Sequence, residues 1–139
     1  MPYICNRKKN ITIIKRDNIM SAINLTKGGF ERRVATIESI KEGWKFLGDK
    51  PAIIDFYASW CGPCQRLMPT IEEIASEYEG KVDIYKVNVD EEEELATLFN
   101  IRSVPTLIFI PMEGDPVRTM GALPKAQFVE NISELLGVK

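Results

Sequence analysis

The 139-residue sequence predicts an α/β fold built on a mixed central sheet, and three observations predict it. Strand-length apolar runs alternate with segments of helical period along the chain. Residues 52–58 are too uniformly apolar for a half-exposed strand, which is the pattern of a strand covered on both faces. The last two strand-like runs are joined by Glu113-Gly114-Asp115, a hairpin turn, so the final pair is antiparallel. The expectation is a sheet of about five strands, a parallel portion followed by an antiparallel hairpin, flanked on both faces by four helices.

The elements follow in order. Residues 22–25 alternate well enough for a short strand, and Thr26 can cap the helix that follows. Phe30, Val34 and Ile37 recur at one-face helical spacing, and Gly43 ends that helix. Trp44, Phe46 and Leu47 form an apolar connection, with Trp44 read as packing, before the turn Gly48-Asp49-Lys50-Pro51. After the central strand, Leu67, Ile71, Ile74, Ala75 and Tyr78 mark a helix from about residue 62 to 78. Pro69 inside it predicts a kink, and Gly80 the stop. In the next strand Val82, Ile84, Lys86 and Asn88 lie on one side and Asp83, Tyr85, Val87 and Val89 on the other. Four glutamates from Glu91 onward open a helix to Phe99, where the helix dipole favours negative charge. Residues 106–110 read as a buried strand and residues 117–120 as its hairpin partner. Pro124 starts the last helix, with Phe128, Ile132, Leu135 and Leu136 facing the core and Gly137 as its cap.

Composition bounds the function. With 45% hydrophobic and 27% charged residues, the chain has the make-up of an ordinary globular domain. No apolar stretch approaches the roughly 18 residues of a membrane span. The absence of histidine excludes Ser-His, Cys-His and His-metal chemistry on this chain, and three cysteines do not make a disulfide framework. Residues 1–20 carry five cations against Asp17, a net of +4, which leaves −6 on residues 21–139 of a chain whose net charge is −2. An acidic body gives no support for nucleic-acid binding. Residues 1–20 are read as a basic, disordered extension and residues 21–139 as the domain. The longest apolar run in the extension, Ile11-Thr12-Ile13-Ile14, is too short for a signal-peptide core of roughly 7–15 residues, so no export signal is read. A start at Met20 is an alternative reading of this end, and Cys5 is read as an incidental free thiol.

The chemistry lies in Trp60-Cys61-Gly62-Pro63-Cys64, at the junction between the central strand and its helix. On a first helical turn, thiols three residues apart can approach closely enough for a disulfide. The helix N-terminus favours a thiolate on the first cysteine, and a low-pKa thiol beside a second thiol is what disulfide exchange requires. The competing reading is half a zinc site, but zinc needs four ligands, and Cys5 is the only other cysteine. No metal or cofactor is expected. Asp55 sits between Ile54 and Phe56, so it is read as buried. Desolvation should raise its pKa toward that of a base working near neutrality.

These residues carry a resemblance. The segment from about residue 22 to 136 resembles the thioredoxin family in a specific set of stretches taken in order. They are Ile54-Asp55-Phe56, Trp60-Cys61-Gly62-Pro63-Cys64, Pro69, Lys86-Val87-Asn88-Val89-Asp90, Val104-Pro105-Thr106 and Gly121-Ala122-Leu123. The resemblance implies the thioredoxin fold and a redox disulfide between Cys61 and Cys64. It makes Cys61 the exposed nucleophile, Cys64 the resolving thiol, Asp55 the proton acceptor for Cys64, and Lys86 the group that helps keep Asp55 charged. Pro105 would be cis, facing the dithiol, and Trp60, Gly62, Pro63, Val104, Pro105 and Gly121 would form the substrate-docking surface. Departures are Tyr57 where Trp is frequent, Gln65 where Lys is common, Ser103 where Gly is frequent, and a long connection over residues 40–51.

The function expected is reduction of protein disulfides through a Cys61–substrate mixed disulfide, with no cation between the cysteines to favour an oxidant. Expected partners are disulfide-containing proteins and a thioredoxin-reductase-like electron donor, with no nucleic acid and no membrane, for a cytoplasmic monomer. Two alternatives remain open at this point: an exported oxidase or isomerase, and a non-catalytic binding subunit on the same scaffold.

Overall fold

The structure, a computed structural model, describes residues 22–139. The expectations placed on the basic extension, on Cys5 and on a start at Met20 lie outside the described residues. The elements are β1 (Ile23–Asn24), α1 (Lys27–Arg33), α2 (Ile37–Glu42), β2 (Ala52–Tyr57), α3 (Gly62–Glu77) and β3 (Asp83–Asn88). They continue with α4 (Glu93–Leu98), β4 (Thr106–Ile110), β5 (Val117–Met120) and α5 (Lys125–Leu136). The five strands form one sheet in the order β1-β3-β2-β4-β5. β3 pairs in parallel with both β1 and β2, whereas β4 pairs antiparallel with β2 and β5. The mixed sheet ending in a hairpin is the one the sequence predicts.

Alternation along the strands divides the core. Ile53, Ile84, Leu107 and Phe109 pack under α3 and α5, against Leu67, Ile71, Phe128 and Ile132. Ile54, Phe56, Tyr85, Val87 and Ile108 pack on the opposite face against Phe30 of α1, Leu95 of α4 and the half-buried Ile37 and Ile40 of α2. Phe30 and Phe99 meet edge to face at 5.5 Å on that side. Each of the fully buried large side chains, such as Phe30 and Phe109, contributes roughly 1.5–3 kcal/mol.

One expected element is two. The helix read over Phe30, Val34 and Ile37 breaks at Val34, so there are five helices rather than four. Thr26 caps the first piece through Gly29 N–H at 3.1 Å, and Thr36 starts the second by accepting from Ser39 N–H at 3.3 Å. A β-branched residue that offers its hydroxyl to the backbone competes with continuing the helix. The apolar spacing survives the break because both pieces cover the same sheet face. α3 runs on through Pro69 to Glu77, and α2 and α5 end at Gly43 and Gly137 as read. Pro124 stands at the N-cap of α5 rather than inside its first turn.

Candidate active site

β2 delivers the chain to the site, and α3 turns it away. The loop from Ala58 leads into Cys61, which is the N-cap of α3, with Gly62 and Pro63 in its first turn. Cys64 N–H donates to Cys61 Sγ at 3.1 Å, so the sulfur satisfies one of the free donors of the helix end. Cys61 and Cys64 form a disulfide across a Cα–Cα distance of 5.2 Å. Once reduced, a Cys61 thiolate would meet the same N–H and the positive end of the dipole, both of which favour the anion. Cys61 is less open than expected. It is 5% exposed, against 0% for Cys64, because Ala58, Tyr57, Val89 and Val104 pack around the pair. Access to Cys61 is therefore a narrow edge, and Cys64 has none.

Asp55 lies in the middle of β2, fully buried, on the face that α3 covers. Neither carboxylate oxygen has a hydrogen-bond partner among the described residues. Burial pushes its pKa up from 3.8 to about 7, with the Lys86 charge pulling the other way. Lys86 is the in-register partner of Asp55 on β3, and alternation puts both on the α3 side. Its ammonium is nevertheless bonded elsewhere: Lys86 Nζ donates to Glu72 Oε2 of α3 at 2.8 Å, and Glu72 Oε1 accepts from Ala22 N–H at 2.9 Å. Lys86 therefore acts on Asp55 through space, and not through a direct bond.

The opposite wall is the loop before β4. The Val104–Pro105 peptide bond is cis, and Val104 O lies 3.7 Å from Cys61 Sγ. Gly121 N–H donates to Pro105 O at 2.8 Å, which extends the β4–β5 ladder to this loop. Gly121 has φ +92°, a conformation that favours glycine. Trp60 is 70% exposed, and its indole N–H donates to Asp90 Oδ2 at 2.8 Å. The structure thus brings Trp60, Cys61, Gly62, Pro63, Cys64, Val104, Pro105 and Gly121 to one end of the sheet, with Asp55 and Lys86 further along β2 and β3 on the face that α3 covers.

Sequence reasoning missed three contributors. Asp90 holds the Trp60 ring, and Glu72 holds Lys86. Gln65, noted only as a departure, donates its amide to the Ala58 and Ser59 carbonyls at 3.4 Å each and so braces the loop before the dithiol. Asp90 had a signal, since it ends the matched stretch that carries Lys86, in the turn after β3; Glu72 is one of three glutamates on α3 and had none. Trp44 packs half-buried on the far face, where its indole N–H has no partner among the described residues. No cluster of three or more metal-ligating side chains occurs among the described residues.

Comparisons with known proteins point the same way as this geometry. Residues 21–134 match the family described as Thioredoxin. The chain is 42% identical over 116 residues to the thioredoxin of Borreliella burgdorferi, a match covering 84% of this chain and 98% of that protein. It is 46% identical over 89 residues to the thioredoxin of Chlorobaculum thiosulfatiphilum, covering 64% of this chain and 82% of the relative. Among solved structures, that of chloroplastic thioredoxin z is similar with a TM-score of 0.67 at 31% identity, covering 83% of this chain and 94% of that one. With one relative matched nearly end to end and a disulfide closed at the start of α3, this chain belongs to the thioredoxin family and is a thiol–disulfide oxidoreductase.

Proposed function

We propose that this chain is a protein-disulfide reductase of the C-G-P-C dithiol type, and that the form described here is its oxidised state. The observation that carries the reading is the Cys61–Cys64 disulfide at the N-terminus of α3 with the buried Asp55 carboxylate on the strand beneath that helix.

In the reduced protein the Cys61 thiolate attacks one sulfur of a substrate disulfide. The Cys61–substrate bond forms, the substrate S–S bond breaks, and the first substrate sulfur leaves as a thiolate. Cys64 then loses its proton to Asp55 and attacks Cys61 Sγ. The Cys61–Cys64 bond forms, and the second substrate sulfur leaves. Two electrons have passed to the substrate, and an external dithiol donor of the thioredoxin-reductase kind restores the pair. Lys86 tunes Asp55 through space. The substrate docks as an extended segment on the Val104 backbone beside Pro105, with Trp60, Gly62, Pro63 and Gly121 around it. Gly62-Pro63 places no cation between the cysteines, which supports a reductant over an oxidant. The protein is read as a cytoplasmic monomer whose domain begins near residue 21. No helix among the described residues is long and apolar enough to cross a membrane.

The test is insulin reduction by the wild type and by Cys61→Ser, together with the midpoint potential of the Cys61–Cys64 pair. A wild type that leaves insulin disulfides intact, or a potential far above the reducing range, would overturn the direction assigned.

A further inference from the structure

Two arginines beside the dithiol have no partner among the described residues. Lys27, Lys50, Lys86 and Lys125 are all ion-paired. Arg66 and Arg102 are exposed, and among the described residues neither side chain makes a hydrogen bond or an ion pair. Each has a defined place. Arg66 folds back along α3 toward Gly62, where an added Cβ would stand 3.3 Å from its Nη1. Its charge therefore lies over the residue next to Cys61. Arg102 lines a groove of about 140 Å³ with Trp60, Val89, Ile101, Ser103 and Val104. Val104 O is the atom 3.7 Å from Cys61 Sγ. The Arg66 guanidinium thus lies on the helix side of Cys61, and Arg102 lines the groove on the loop side, beside Val104.

We infer that Arg66 and Arg102 select substrates by charge, favouring target disulfides whose cysteine is flanked by aspartate or glutamate side chains. The inference rests on the reading of Cys61 as the attacking thiol. A segment pairing with the Val104 backbone advances about 3.3 Å per residue, so side chains within a few residues of its cysteine come within reach of both arginines. Guanidinium groups recognise carboxylates by paired, planar hydrogen bonds, and these two have donors to spare. The rest of the domain works against such a partner, because residues 21–139 carry a net charge of −6. Asp90 stands at the Trp60 indole, which places the favoured carboxylate nearer Arg102 than that ring nitrogen. The two arginines put positive charge where the substrate must lie on an otherwise acidic domain, and complementarity of this kind governs encounter and selectivity.

The experiment uses the full chain, reduced beforehand, and symmetric disulfides of one short peptide with Glu, Gln or Lys on both sides of the cysteine. The second-order rate constant of each peptide is divided by its rate with dithiothreitol, which removes the intrinsic reactivity of the peptide disulfide. The Glu peptide should react about three- to tenfold faster than the Gln peptide, the range that two solvent-exposed ion pairs supply, and the Lys peptide more slowly. The Glu/Gln ratio should fall toward one at ~0.5 M NaCl and in the R66Q/R102Q double variant, and should invert in R66E/R102E. A general effect of these arginines on Cys61 would scale all three peptides alike and leave the ratio unchanged. A wild-type ratio near one, or the same ratio in the double variant, overturns the inference while leaving the dithiol chemistry intact. Failure to reduce any of the three peptides would instead overturn the reading of Cys61 and the inference with it.

Discussion

Asp55→Asn should give a more stable and slower protein, and the size of both effects follows from the burial of one carboxyl. In the fold its pKa is raised from 3.8 to about 7 by desolvation, against the pull of Lys86. Between those two values the native protein holds a proton that the unfolded chain has released. Stability therefore falls as pH rises from about 4 to 7, and it levels off above 7 once Asp55 is ionised in both states. At 1.36 kcal/mol per pH unit, the charged carboxylate costs about 4 kcal/mol at pH 8. Asn removes that charge while keeping a polar amide in the same unpartnered site, so most of this cost should be recovered at pH 8 and almost none at pH 4. The kinetic side has the opposite sign. On the proposed mechanism, attack by Cys61 does not need Asp55, whereas release takes a proton from the fully buried Cys64. The release step should slow most near pH 7 and recover at higher pH, where hydroxide can take the proton directly. Denaturant unfolding across pH 4–8 and stopped-flow fluorescence of Trp60 follow the two halves separately. Equal stability gains at pH 4 and pH 8 would refute the electrostatic argument. Release kinetics matching wild type across pH 6–9 would make Asp55 structural and route the proton through water.

Three further outcomes are expected. Cys64→Ser should accumulate disulfide-linked substrates, and Cys61→Ser should trap none; equal trapping by both variants, read on non-reducing gels, would reverse or remove the assigned roles. Lys86→Met removes the one charge that lowers the Asp55 pKa. The Asp55 carboxyl should then titrate above about 7, and the pH at which release accelerates should move upward, as followed by carboxyl NMR and by the same stopped-flow traces. Deleting residues 1–19 should leave the melting temperature and insulin reduction nearly unchanged; a loss above ~2 kcal/mol, the scale of a core defect, would show that this segment packs on the domain.

The strands, the dithiol and the buried carboxyl were legible in the sequence because each is written in local signals. Uniform apolarity marks β2 as a covered strand, and an aspartate within it has nowhere to go but inside. A C-x-x-C spacing at a strand–helix junction puts both sulfurs on one helical turn, whatever the rest of the chain does. The helix break at Val34 was illegible because the apolar period continues across it: two short helices on one sheet face present the same spacing as one longer helix. The tertiary structure alone decided which group Lys86 bonds. Parallel pairing of β2 and β3 puts Asp55 and Lys86 side by side, but the chain returns to that face as α3 and offers a second, partly solvated carboxylate at Glu72. The ammonium bonds the more solvated partner, where ionisation costs less, and the buried Asp55 is left unpaired with its pKa raised. The same is true of access to Cys61. Its exposure depends on Val104 and Ala58, which come from separate parts of the chain and meet at the dithiol only once the sheet has formed.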